Sequence, residues 1–434
     1  GINDSLVPQQ GPNYALAKRL QRWRATVARH EGAVVSMNVA PPTRTRSVVK
    51  NRALAAAYAG AHRFGVEVFD PSTSNVLMAA LLVHDLHTGG GPRHEHPWQD
   101  EAYAAAGAVL TDDPYSDAEL VCSVQPLPRD LARRLASGTV TVSFLPTAAE
   151  LDLVRDYRDL GVTALAMELV PRISRAQSMD ALSSQSLVSG YRCAVVCAGL
   201  LRRFLPLNMT AAGTVPPAEV VVLGAGVAGL QAIATARRLG AVVKAYDVRA
   251  AAAEEIRSMG AQAIELDLPT LDGAGGYARE MTEERAALQR ELLAPYVAAA
   301  DGLITTAAVP GRTAPMLVTR GMVEAMSAGS VVVDLAADSG GNVEGSVPGE
   351  VVRVGRAQVW GGRNVPAQMP EPASRLYAQN VLNLVALLSG DAGSLSLDWD
   401  DEIIAGACVT HDGVVRHEPT ARLLDAPDPE GGLA

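Results

Sequence analysis

The segment "AEVVVLGAGVAGLQAIATARRLGAVVKAYDVR" constrains the chain more than any other. An apolar run ends at Gly224, and Gly224, Gly226 and Gly229 stand in G-x-G-x-x-G spacing where a helical pattern begins. Asp247 closes the next apolar run, eighteen residues past the last glycine. The chemistry behind such spacing is specific: the first glycine permits a tight turn, the second lets backbone approach a pyrophosphate, and the third lets helix pack on strand. A helix N-terminus adds free N–H groups and a partial positive charge for the phosphates. The glycines alone are weak evidence, but strand, turn, helix, strand and acid in register predict a dinucleotide site. A Rossmann-like sheet without a ligand is the other reading. The acid favours a free ribose 2′-hydroxyl, hence NAD over NADP, although Arg249 two residues on weakens that preference.

The 434 residues suffice for two domains with their own cores. A net charge of −10 argues against nucleic acid and anionic membrane as partners, since either needs a basic face; small molecules fit better. Cys122, Cys193, Cys197 and Cys408 are too scattered for a disulfide framework, which suits a cytoplasmic location. The first thirty residues show no apolar signal core, and the longest apolar run is broken by the three glycines, so no membrane span is expected.

The remaining pattern alternates. "AVVSMNVA" and "GVEVFD" read as strands with a helix between them, "SNVLMAALLVHDLH" as a helix, and "AELVCSVQPL", "TVTVSFLP" and "VTALAMELV" as strands around the helix "AELDLVRDYRDLG". After the glycine turn, "ADGLITTAAVP", "GSVVVDLAAD" and "GEVVRVGRAQVWGG" continue the alternation, which predicts a doubly wound parallel sheet. "NMTAAGTVPP" reads as a loop, and the acidic tail carries a short β pair.

About 40 residues before the glycine turn, "PRISRAQSMDALSSQ" concentrates hydrogen-bonding side chains where a buried element would need apolar ones. With "MELVPRISRAQSMDALSSQSLVSGYR", "GAGGYAREM", "ITTAAVPGRTAPMLVTRGMVEAM" and "GSVVVDLAADSGGN", in that order, the chain resembles the NAD(H)-binding component of proton-translocating nicotinamide nucleotide transhydrogenase, a relative of alanine dehydrogenase. The resemblance is dense from about residue 160 to 345. It implies that the polar stretch lies over the nicotinamide end of a cleft, with Arg172, Gln177, Asp180 and Ser183 at the matching positions. It also implies a mobile loop around Tyr277, flanked by Gly273, Gly275 and Gly276, that closes over nucleotide.

The chain departs from the family's dehydrogenases. Ser123 stands where their lysine would, and "VSFLPTAAE" has no histidine, so the usual alanine site is not intact. Arg44 and Arg46, after a strand where the family's arginine loop would fall, are candidate substitute cations, with an exposed loop as the other reading. Asp338 occupies the position of a catalytic aspartate, either near a nicotinamide or as a loop aspartate bonding backbone. His84, His87, His94 and His96 lie within thirteen residues without a defined ligand signature; a surface loop is the simpler reading, zinc the alternative.

The expectation is therefore α/β, with two Rossmann-like doubly wound domains around a cleft. Residues 1–182 with 373–434 form the first, and 183–372 the NAD(H)-binding second, inserted between them. The resemblance implies a homodimer that binds NAD and transfers hydride with an NADP-binding transhydrogenase subunit. The alternative is a stand-alone dehydrogenase acting on an amino, imino or 2-oxo acid. A catalytically silent NAD-sensing protein is the third reading.

Overall fold

The computed structural model describes residues 115, 118–268, 282–308, 313–389 and 395–425, with three short strands at 48–49, 78–81 and 108–109. The chain divides into two compact units: Gly1–Leu182 with Pro370–Ala434, and Ser183–Met369. Five helices carry or brace the candidate site residues: α1 Leu151–Leu160, α2 Ala181–Leu200, α3 Val227–Arg238, α4 Pro370–Leu387 and α5 Glu402–Ala407.

In the first unit four strands run parallel in the order Met78–Leu81, Leu120–Ser123, Val140–Ser143, Thr163–Ala166. Cys408–His411, from the C-terminal segment, adds to the last of them antiparallel, and Val414–Val415 forms the edge. Leu120–Ser123, Val140–Ser143 and Thr163–Ala166 are buried at every position, as expected of strands covered on both faces. α1 buries Leu153, Val154 and Tyr157 on one stripe and ends at Gly161 in the left-handed region, where Val162 N–H closes onto the Tyr157 carbonyl. The helix expected over "SNVLMAALLVHDLH" is corrected at its centre: Met78–Leu81 is a strand in parallel register with Leu120–Ser123. Alanine and leucine favour helix intrinsically, but sheet pairing overrides that weak preference.

The second unit is a seven-stranded sheet in the order Gln262–Ala263, Val242–Tyr246, Glu219–Leu223, Gly302–Thr305, Val331–Asp334, Ala357–Gly361, Val351–Val354. The first six are parallel and double-wound, with the winding reversed between Glu219–Leu223 and Gly302–Thr305. The last strand departs from the expected parallel alternation: Val351–Val354 pairs antiparallel with Ala357–Gly361 through a turn at Gly355, whose φ of 58° a glycine adopts readily. The expected loop at "NMTAAGTVPP" is likewise a hairpin, Asn208–Thr210 with Gly213–Val215. Among the described residues no helix is long and apolar enough to cross a membrane.

Candidate functional site

The carboxyl ends of the second unit's strands face the turn between Leu223 and α3. Gly224 adopts φ 97°, and its carbonyl accepts from Thr306 Oγ1 at 3.1 Å. Gly229 lies against the same carbonyl so closely that a Cβ there would fall 1.9 Å from it. Gly226 begins α3 with extended backbone, no side chain caps the helix, and a Cβ on it would meet open space. The three glycines thus have three different reasons. Two seal strand to helix, and one leaves uncapped N–H groups reachable by an anion. This arrangement fits a dinucleotide pyrophosphate.

Asp247 follows strand Val242–Tyr246 and is about nine-tenths buried. Its Oδ2 accepts from Ala225 N at 2.7 Å, tying the acid to the glycine turn. Arg249 donates from N and Nε to Oδ1, both at 2.9 Å, and from Nη2 to Oδ2 at 3.0 Å. The acid expected to read ribose and the arginine expected to modify that reading are therefore one bidentate pair.

In the first unit, the polar stretch forms a 3-10 helix, Ser174–Met179. Its three-residue turn points Ala176 and Met179 inward, leaving Arg172 and Gln177 exposed and Asp180 half-buried just before α2. Ser183, half-buried, is the first residue of the second unit, three positions after Asp180. Tyr277 and its glycines lie outside the described residues, as do Arg44, Arg46 and the four clustered histidines. Among the described residues no group of side chains suited to a metal occurs.

Ser123 is buried, and its hydroxyl is spent on the Gln125 carbonyl at 2.6 Å. Asp338 is exposed on a short turn, where Oδ2 accepts from the Asn364 backbone N–H at 3.2 Å. Cys193 and Cys197 are buried in the core, and burial pushes both thiols up, Cys197 to about 12, so neither is a ready nucleophile.

Several residues of consequence escape sequence reading. Asp334, fully buried, accepts from Thr305 Oγ1, Ala336 N, Asn342 N and Val343 N. Asn342 in turn accepts from Ala307 N and donates to the carbonyls of Ala307 and Pro315. Gly190 on α2 meets the first turn of α3; a Cβ there would lie 2.0 Å from the Ala228 carbonyl. An acid ending an apolar strand before Ser-Gly-Gly-Asn is the one signal in the sequence for the first pair.

Arg175 pairs in bidentate fashion with Asp401, at 2.6 and 2.8 Å, and Asp401 caps α5 by accepting from Ile403 N. The guanidinium holds the Asp401 carboxyl below the usual carboxylate range. A carboxylate lowered on folding stabilises the fold above its unfolded value, about 3.9, and that contribution is lost as pH falls through the lower folded value. Urea unfolding from about pH 5 to about pH 2 is expected to show an acid-sensitive component that Asp401→Asn removes. Parallel pH profiles for the two proteins would sink the assignment.

The C-terminal-domain model of the Alanine dehydrogenase/PNT family matches residues 193–418, and its N-terminal-domain model matches residues 89–189. An NAD(P) transhydrogenase subunit alpha protein of Rhodospirillum rubrum is 44% identical over 330 residues, spanning 73% of this chain and 86% of that protein. Alanine dehydrogenase of Bacillus subtilis is 30% identical over 339 residues, 75% of this chain and 83% of that one. Among solved structures, the transhydrogenase from Sinorhizobium meliloti superposes with a TM-score of 0.70 at 36% identity, covering 87% of this chain and 98% of that chain.

Proposed function

The chain belongs to the alanine dehydrogenase/PNT family, and from that premise we propose that it is the NAD(H)-binding component of a nicotinamide nucleotide transhydrogenase, exchanging hydride with NADP(H) held by a partner subunit. The observation that carries the reading is the uncapped start of α3, open at Gly226 and bordered by Asp247. Pyrophosphate fits the N–H groups of that turn, and the ribose hydroxyls fit Asp247. When bound, NADH supplies a hydride that leaves with its electron pair for oxidised NADP, so neither side needs a proton from the protein. What remains for the chain is placement. Arg172, Gln177, Asp180 and Ser183 offer both donors and acceptors to the carboxamide and fix the ring's face. Asp338 is not required as acid or base in this scheme.

Four free, buried cysteines suit a reducing cytoplasm. We also assign the chain a homodimer: Leu207, Met209 and Val215 are exposed on and beside the hairpin, an apolar surface that self-association would cover.

Absorbance of NADH with the purified chain tests the reading. Oxidation is expected only when an NADP-binding transhydrogenase component loaded with an oxidised NADP analogue is present, and the chain is expected to sediment at twice its mass. Oxidation by the chain alone with 2-oxo acids and ammonia would overturn the transhydrogenase assignment in favour of the dehydrogenase.

A further inference from the structure

We infer that Asn380 and Asn383 on α4, together with the Arg175–Asp401 pair, are positioning residues that pre-set the polar loop for hydride transfer; this rests on the function proposed above. The Ser178 carbonyl accepts from Asn380 Nδ2 and from Asn383 Nδ2, both at 2.9 Å. Three residues apart, the two amides share one face of α4 and fill both lone pairs of a single oxygen. The orientation of the second is fixed, because Asn383 Oδ1 accepts from Gln379 Nε2 at 3.1 Å. Asn380 is 6% exposed. Two amides directed at one carbonyl are a costly way to fill space, since apolar side chains would pack there with no hydrogen bonds to satisfy.

The other anchor works on the same short helix three residues earlier. Arg175 leaves the loop to clasp Asp401 on the cap of α5. Gly406 on α5 approaches the proline that opens the loop, where a Cβ would lie 3.3 Å from Pro171 Cδ. Ala176 and Met179 seal the inner side. The 3-10 turn and the proline before it are thus met at Pro171, Arg175 and Ser178 by parts of the chain more than 200 residues away in sequence. Gln177, between the anchors, is left facing outward. Hydride transfer is sensitive to ring placement, and the anchors hold the polar loop without touching the glycine turn or Asp247, to which the proposed function assigns the phosphates and the ribose. The anchors therefore act on the rate.

The test is Asn380→Ala/Asn383→Ala in the full chain, assayed with the NADP-binding component, alongside NADH titration by fluorescence and thermal unfolding. The expected result is a fall of about 100-fold in kcat with NADH Kd within about twofold and a preserved cooperative melt. The single variants, each retaining one donor to Ser178, are expected to fall between. Arg175→Ala, on an exposed side chain, covers the case in which the double variant does not fold, and is expected to lower kcat in the same way. Unchanged kcat in the double variant, or in Arg175→Ala when the double variant does not fold, overturns the inference. Parallel losses of kcat and NADH affinity overturn it too. Absence of transfer by the unaltered chain would instead reject the transhydrogenase reading.

Discussion

Gly229→Ala is expected to abolish NADH binding and to lower Tm sharply, whereas Gly226→Ala, three residues away, is expected to weaken NADH binding with the fold intact. The difference lies in what each new methyl meets. At Gly229 a Cβ would sit 1.9 Å from the Gly224 carbonyl oxygen and 3.0 Å from Thr306 Oγ1, so α3 must move off the strand that carries it. Gly190→Ala strikes the same turn from the other side, with a Cβ 2.0 Å from the Ala228 oxygen. Overpacking against backbone cannot be relieved by a rotamer change; a cost of about 3 kcal/mol corresponds to roughly 6 to 12 °C in Tm for a unit of this size. At Gly226 nothing lies within 4 Å, so only an approaching ligand would feel the methyl. Thermal melts and NADH fluorescence titrations on the three variants decide the matter. A Gly226→Ala protein as unstable as Gly229→Ala, or a Gly190→Ala protein with ordinary stability and affinity, would contradict this account of the turn.

These residues also mark how far sequence reading reaches. The glycine turn, Asp247 and the alternating strands are legible because each is a local pattern: a fixed spacing, an acid at a strand end, a period of two or of 3.6. Val351–Val354 differs from the expected parallel winding because strand direction depends on where the chain goes after a turn, and only the two intervening residues, Gly355 and Arg356, hint at a hairpin. Met78–Leu81 differs from the expected helix because a helix-favouring composition carries no record of the strand beside it. The polar loop is visible as a concentration of side chains, but its anchors are not. Asn380 and Asn383 look like polar interruptions in an amphipathic helix until Ser178 is seen beneath them. Gly190 looks like an incidental helical glycine until Ala228 is placed against it. Long-range partners leave no spacing to read.

Asp334, marked in the sequence only as an acid at the end of an apolar strand, carries the second large prediction. Asp334→Ala is expected to destabilise the chain by about 4 kcal/mol or more, because it strands the Thr305 hydroxyl and the N–H groups of Ala336, Asn342 and Val343 in a buried space. The loss should spread along the strand ends: the turn bearing Asp338 returns to Asn342 through Gly340 and Gly341, both at positive φ, and Asn342 joins Ala307 to Pro315. Asp334→Asn keeps one acceptor oxygen but sets an amide against donors, so it should fall between alanine and the native residue. pH separates this carboxyl from Asp401. Burial raises the Asp334 carboxyl while its N–H partners oppose the rise, leaving it above the ordinary value. A group raised on folding contributes stability that is complete below its unfolded value, about 3.9, and that is lost as pH rises through the folded one. The stability gap between the native chain and Asp334→Asn should therefore widen as pH falls from the raised value, while the gap for Asp401→Asn narrows. Denaturant midpoints across the acid range measure both, and a gap at Asp334 that closes on acidification would mean that its hydrogen bonds, not its burial, dominate the titration.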